Sequence, residues 1–291
     1  MIEAATGLRH YMKFLLPVSA CAVVYLMGSA QAYPMMSWQE YKSHTYKWPY
    51  IYQIDTPGGG SLLYFGAEHL YLPRDPQFSK IEALWNQFHP EIVFNEGNTP
   101  DIGQSNKEQA IERYGEVGLV IFLARREAHK VYFQSIDPKF EKEVAALRKK
   151  YLAKQLKMFY ILRQKSTHDR MSKPESSLET YLDNFIKNDL RALKAHPNSI
   201  SELESIYAEY FPDRGSYKDA PYSLVDPAPD PTVTETIFNE ISRASTEYRD
   251  QFMIGQISRF VCQKRVFAVV GATHVVMQEP AIRKLLSEKC S

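Results

Sequence analysis

The chain has 291 residues, 44% hydrophobic and 13% aromatic, with a formal net charge of +1. That length suits one large α/β domain, or such a domain with an insert. The near-zero charge gives no global field for nucleic acid or an acidic partner, and abundant Tyr and Phe with modest Gly exclude a disordered or fibrous class.

Residues 1–32 carry a processing pattern. Arg9, His10 and Lys13 form a basic lead, residues 14–27 are nearly all apolar, and Ala30-Gln31-Ala32 supplies a small-x-small cleavage site before Tyr33. These are the three parts of a Sec-type signal peptide, and the apolar run is shorter than the ~20 residues of a comfortable bilayer span. An uncleaved N-terminal anchor is the alternative. Val18-Ser19-Ala20-Cys21 also has the form of a lipoprotein box, but the apolar stretch before Cys21 is short and continues well past it. No later segment reads as a membrane span, so the expected mature chain, residues 33–291, is extracytoplasmic, either periplasmic or secreted.

Residues 37–52 read as a polar, aromatic lead-in, and Asp55-Thr56-Pro57-Gly58-Gly59-Gly60 as a turn. A strand follows over 61–65, then a helix over 75–88 with Phe78, Ile81, Leu84, Trp85 and Phe88 on one face. Ile92-Val93-Phe94 is the second strand, ending at Asn95-Glu96-Gly97. After a loop over 98–106, residues 108–128 are helical, with Gly115 and Gly118 marking a break or close approach. Residues 130–136 form the third strand, ending in Asp137-Pro138. Strand–helix–strand alternation predicts a parallel sheet.

Residues 140–196 have helical spacing, with Leu147, Leu152, Leu156, Phe159 and Leu162 as an apolar stripe. Residues 211–232, rich in Pro, Asp and Tyr, read as a long surface loop. Together they make a helical insertion at about 140–232. Residues 234–263 are helical, 265–270 form the last strand, and 278–288 a closing helix. The expected fold is α/β: one domain with a mostly parallel or mixed central sheet flanked by helices. Cys262 and Cys290 form either a disulfide tying the helix before the last strand to the C-terminal helix, or two buried thiols.

The chemistry is concentrated at strand ends. Gly66-Ala67-Glu68-His69 and Gly271-Ala272-Thr273-His274 each follow an apolar strand, so each imidazole emerges at a carboxyl end, where open α/β sheets place their ligands. Glu96 and Asp137 end the two other parallel strands. Charged groups are costly inside such strands but can converge at their ends. Two chemistries fit. His69, His274 and Glu96 can bind a divalent metal (manganese, cobalt or zinc) that activates water, or one histidine can act as general base with a carboxylate fixing its tautomer and no cofactor. Glu116 shares a helix face with Arg113, as a surface ion pair or as a further acid, base or ligand at the sheet edge. Arg249, in Tyr248-Arg249-Asp250, is structural, holds an anionic substrate group, or orients a carboxylate. His89, His129, His168 and His196 read as solvated. Serine-centred, phosphate-loop and dinucleotide motifs are absent from the sequence.

The Gly66–His69 segment, His89-Pro90-Glu91-Ile92-Val93-Phe94-Asn95-Glu96-Gly97, Arg249-Asp250-x-x-Met253 and Val269-Val270-Gly271-Ala272-Thr273-His274 together resemble the TIKI/TraB (GumN-like) family, within a superfamily of erythromycin-esterase-like and ChaN-like proteins. The resemblance implies a mixed α/β fold with His69, Glu96 and His274 around one cleft, supported by Glu116 and Arg249. It implies metal-dependent peptide hydrolysis of the TIKI type or metal-free water activation of the esterase type. The expected partner is a peptide or small-molecule substrate. Glu68 departs toward the esterase and ChaN style, and residues 140–196 match no motif. The alternatives are a non-catalytic haem- or ligand-binding protein of the ChaN type and a catalytically silent scaffold.

Overall fold

Alternating apolar side chains on both faces of a central sheet organise the fold. The computed structural model describes residues 33–290 except Asn98, residues 128–130, Ser172, Lys173 and Glu175. The signal, anchor and lipidation expectations for residues 1–32 therefore lie outside the described residues, as do His129 and the first residue of the expected third strand. The described residues belong to one compact unit spanning 33–291.

In chain order the elements are α1 (Trp38–Ser43), β1 (Tyr50–Asp55), β2 (Ser61–Ala67), α2 (Pro76–Phe88), β3 (Ile92–Asn95), α3 (Lys107–Arg126), β4 (Tyr132–Ser135), α4 (Phe140–Leu147), α5 (Ala153–Arg170), α6 (Leu178–Asn188), α7 (Ile200–Tyr210), α8 (Ile237–Ile257), β5 (Arg265–Gly271) and α9 (Ala272–Lys289). The sheet order is β1-β2-β5-β3-β4, with β1 antiparallel to β2 and the other pairs parallel. This is the expected mixed, mostly parallel α/β sheet. β5, the last strand in sequence, sits in the middle.

Period-2 alternation sends each strand's side chains to two layers. Leu63, Phe65, Val93, Phe267 and Val269 pack under α2 and α3. Leu62, Tyr64, Phe94, Val266 and Val270 pack under the end of α8 and α9. A third apolar cluster packs the helical insertion against the start of α8: Leu156, Phe159, Leu162, Leu182 and Leu203 are buried together with Phe238 and Ile241. Leu152 departs from the expected stripe: it precedes α5 and is 69% exposed.

Helix starts follow their caps. Asp75 accepts from the backbone of Gln77 at the head of α2, with Pro76 in the first turn. Asn106 and Gln109 form a capping box at α3.

Several boundaries differ from the sequence expectation, among them the helix expected over 234–263, which is α8 over Ile237–Ile257 followed by turns. β1 replaces part of the expected lead-in, because Tyr50, Tyr52 and Ile54 alternate into one apolar layer while Gln53 and Asp55 stay exposed. The 211–232 segment is not uniform loop; it contains short 3₁₀ turns at Tyr217–Asp219 and Tyr222–Leu224. α9 begins at Ala272, directly off β5, rather than near 278. Pro280 suggests a later start because proline favours a first turn, yet here it lies inside the helix. Cys262 and Cys290 are bonded, with Cα atoms 5.1 Å apart, so the bridge and not the thiol pair is realised.

Candidate active site

The four parallel strands deliver their C-terminal ends to one edge. Ala67 of β2 lies opposite Gly271 of β5, Asn95 of β3 opposite Val269, and Ser135 of β4 opposite Asn95. The next residues leave the ladder together. Glu68 is exposed, whereas His69 reaches back across the edge. Its Nε2 lies 3.0 Å from where a Cβ on Gly271 would stand, and Glu96 Oε2 lies equally near that point. Only glycine at the end of β5 leaves room for both.

Glu116 arrives by a kink. Gly115 interrupts α3 at φ 58°, and a Cβ there would stand 2.6 Å from the Leu70 carbonyl oxygen. The break expected near Gly115 and Gly118 is therefore real. It also separates Glu116 from Arg113, so the shared helix face expected for that pair does not form. Buried Glu116 instead accepts a hydrogen bond from His69 Nδ1 at 2.6 Å. That bond holds the proton on Nδ1 and leaves Nε2 facing the cleft. Burial opposes a charge on His69, but the adjacent Glu116 carboxylate, with Glu96 behind it, outweighs burial and raises its pKa.

Glu96 is the hub. Its Oε1 accepts from Arg249 Nη2 at 2.7 Å and lies 3.4 Å from His274 Nε2. Its Oε2 accepts from the Gly271 backbone N–H at 2.5 Å and lies 4.0 Å from His69 Nε2. Burial would raise this carboxyl's pKa, but His274 and Arg249 outweigh it and hold the value well below the usual carboxylate range. Arg249 also forks onto Asp137, through Nε at 3.0 Å and Nη2 at 2.8 Å, and Asp137 accepts from the Gly97 N–H at 2.7 Å. Of the roles open to Arg249, orienting carboxylates is the one observed.

His274 lies in the first turn of α9. Its Nδ1 faces Asp250 Oδ1 at 2.5 Å, and Arg249 Nη1 stands 3.3 Å from Nε2. Burial opposes protonation, yet Asp250 on one side and Glu96 on the other push its pKa up to about 9. A proton on Nε2 then points at Glu96. Asp250, fully buried, also accepts from Gln278 at 2.7 Å, and Gln278 accepts from the Tyr64 hydroxyl at 2.8 Å. Asp250 Oδ2 has no hydrogen-bond partner among the described residues.

All five candidate residues (His69, Glu96, Glu116, Arg249 and His274) therefore meet at one edge. Asp250 is the residue that sequence reasoning left without a role. Its signal was faint: a carboxylate beside Arg249 in a helix, 24 positions from its histidine. Glu143 was missed as well. It is buried beside the cleft and accepts from Tyr160 and Ser245 hydroxyls at 2.8 and 2.6 Å. His89 and His196 are exposed, and His168 is half-buried with Nε2 on the Ser176 carbonyl.

The donor set does not fit a divalent cation held by His69, Glu96 and His274. Among the described residues no group of three or more His, Cys, Asp or Glu side chains could hold a metal ion. The physical reason is Arg249, whose guanidinium is already hydrogen-bonded to Glu96 and adjacent to the His274 nitrogen that would ligate. A cation there would face a fixed positive charge, and its ligands would first have to leave their present partners.

Two adjoining cavities open from this edge, of about 570 and 270 Å³, both lined by His69 and Glu96. The far wall is α5 of the helical insertion. No protein-family model, no curated protein and no solved structure matches the chain.

Proposed function

We propose that the protein is a hydrolase that activates water with His69 and cleaves an ester or amide bond without a bound metal. The supporting observation is the pairing of half-buried His69 with buried Glu116, which presents a basic nitrogen to an open cleft beside an arginine-held carboxylate. The resemblance to the TIKI/TraB family, within a superfamily that includes erythromycin-esterase-like proteins, is consistent with this chemistry.

His69 Nε2 and Glu96 Oε2 are 4.0 Å apart, too far for a direct bond and about the span of one water hydrogen-bonded to both. His69 removes a proton from that water, and its oxygen attacks the substrate carbonyl carbon. Negative charge then develops on the carbonyl oxygen, close to the His274 imidazolium and the Arg249 guanidinium. Positive groups fixed before the reaction stabilise such charge without reorganising. Collapse breaks the bond to the leaving group, and the His69 imidazolium returns its proton there, balancing the cycle. Glu116 keeps the tautomer and supports the transient charge. Glu96 holds the water, and Arg249, Asp137 and the Gly271 N–H hold Glu96.

The deciding assay uses a panel of 4-nitrophenyl esters and fluorogenic peptides, with and without a chelator. Turnover that vanishes in His69→Ala and persists in EDTA supports this mechanism. Equal turnover in His69→Ala, or none on any substrate, removes it. Loss in EDTA with recovery on manganese, cobalt or zinc would restore the metal-dependent alternative.

A further inference from the structure

We infer that the substrate carries an anionic group, a carboxylate or a phosphate, bound by Arg163 and Arg170 on the wall opposite His69. This rests on the hydrolase reading and narrows its substrate class.

The wall opposite His69 is α5. This helix is buried over most of its circumference, through Leu156, Met158, Phe159, Ile161 and Leu162. One stripe is different. Tyr160, Arg163, Gln164, Thr167 and Arg170 follow helical spacing on a single face, and all line the larger cavity. Arg163 and Arg170 also line the smaller cavity, which contains His69 and His274. The two arginines are two turns apart, about 10 Å along the axis. Both therefore border each of the two cavities that contain the base.

Neither arginine is committed. Among the described residues neither has a carboxylate within ion-pair distance. The Arg163 contact is Nη1 to the Ser245 hydroxyl at 3.4 Å, and that hydroxyl is itself fixed by donating to Glu143 at 2.6 Å. Arg170 lies over the Tyr222 ring, 6.0 Å from its centroid. A guanidinium has five N–H donors in a planar fork, so among the described residues most of each fork has no partner and can take a ligand. Five acids line the larger cavity, and four of them are already engaged: Glu96 and Asp137 by Arg249, Glu116 by His69, and Glu143 by neutral hydroxyls; the fifth is Asp189. Arg170 in the last turn of α5 also suits the helix dipole. That effect explains a cation at the helix end. It does not explain a second arginine mid-helix on the same cavity-lining face.

The test compares two 4-nitrophenyl esters of matched acyl length, neutral valerate and glutarate ending in a free carboxylate, using the whole protein. Wild type is expected to favour the glutarate by about tenfold or more in kcat/KM, and that preference shrinks as salt screens the contact. Charge-assisted hydrogen bonds are strong enough that Arg163→Gln with Arg170→Gln lowers the glutarate-to-valerate ratio about 10- to 100-fold. The matching pair of Lys substitutions retains part of the ratio. Competition by free glutarate against inorganic phosphate tells which anion the site takes. A wild-type ratio near one, or a ratio that the double Gln variant does not change, overturns the inference while turnover of both esters leaves the hydrolase reading intact. If neither ester turns over, that reading fails by itself. Calorimetric binding of glutarate or phosphate, weakened in the double Gln variant, then still supports the arginine site, and its absence in wild type overturns it.

Discussion

At the residue scale, His69 and His274 are each paired with a buried carboxylate, and in the proposed mechanism the two pairs do opposite work. Glu116 raises the pKa of His69, and His69 must be neutral to take a proton from water. Activity is therefore expected to rise with pH through an ascending limb above 6.5, the ordinary histidine value. His274, with a pKa of about 9, must keep its proton to face developing negative charge, so a descending limb is expected near pH 9. A pH–rate profile checks both limbs. Glu116→Gln should lower kcat roughly 10²-fold and move the ascending limb to lower pH, because the carboxylate holding the proton on His69 is gone. An unmoved limb would remove Glu116 from that role. Stability has its own sign. The folded pKa of His274 lies above its unfolded value, so its contribution is complete below about pH 6.5 and lost as pH rises through about 9. Asp250→Asn should flatten that fall in urea midpoints measured between pH 6 and 10.

At the element scale, two glycines admit the contacts of the candidate site. Gly115→Ala would place a side chain at φ 58° and 2.6 Å from a backbone oxygen, with an expected cost of about 1–3 kcal/mol in urea denaturation and a loss of turnover as Glu116 is displaced. Gly271→Ala would crowd Glu96 and His69 at 3.0 Å each, and should depress kcat more than it depresses stability. The convergence of strand ends was legible in the sequence because parallel strands share polarity, so Glu96, Asp137 and the two Gly-x-x-His segments had to reach one edge. Other features were hidden for physical reasons. A kink is set by tertiary crowding against Leu70, which glycine spacing only hints at. β1 is a half-exposed edge strand whose tyrosines resemble any polar-aromatic stretch. The Asp250–His274 contact joins two helices, and no local period encodes such a meeting. The polar stripe on α5 lay in plain view as i, i+3, i+4, i+7 spacing, but its meaning needs the sheet edge opposite it.

At the scale of the whole molecule, the Cys262–Cys290 bridge ties the turn after α8 to the end of α9, so it braces both helices that carry Arg249, Asp250 and His274. Closing a loop of 28 residues is worth about 3–4 kcal/mol in the chain-entropy model, and the double Cys→Ser variant should lose that much in urea denaturation. Reduction of the wild type should reproduce the loss.

The placement of β5 has a consequence for how the molecule comes into being. β1 with β2, and β3 with β4, are two ribbons that share no ladder; the strand that joins them is synthesised after all four. A nascent chain stopped before residue 265 holds two half-sheets with open edges, sticky toward other chains and without His274 or the Gly271 amide. A chain truncated before residue 265 is therefore expected to lack the proposed turnover altogether, because the strand that closes the sheet also completes the edge.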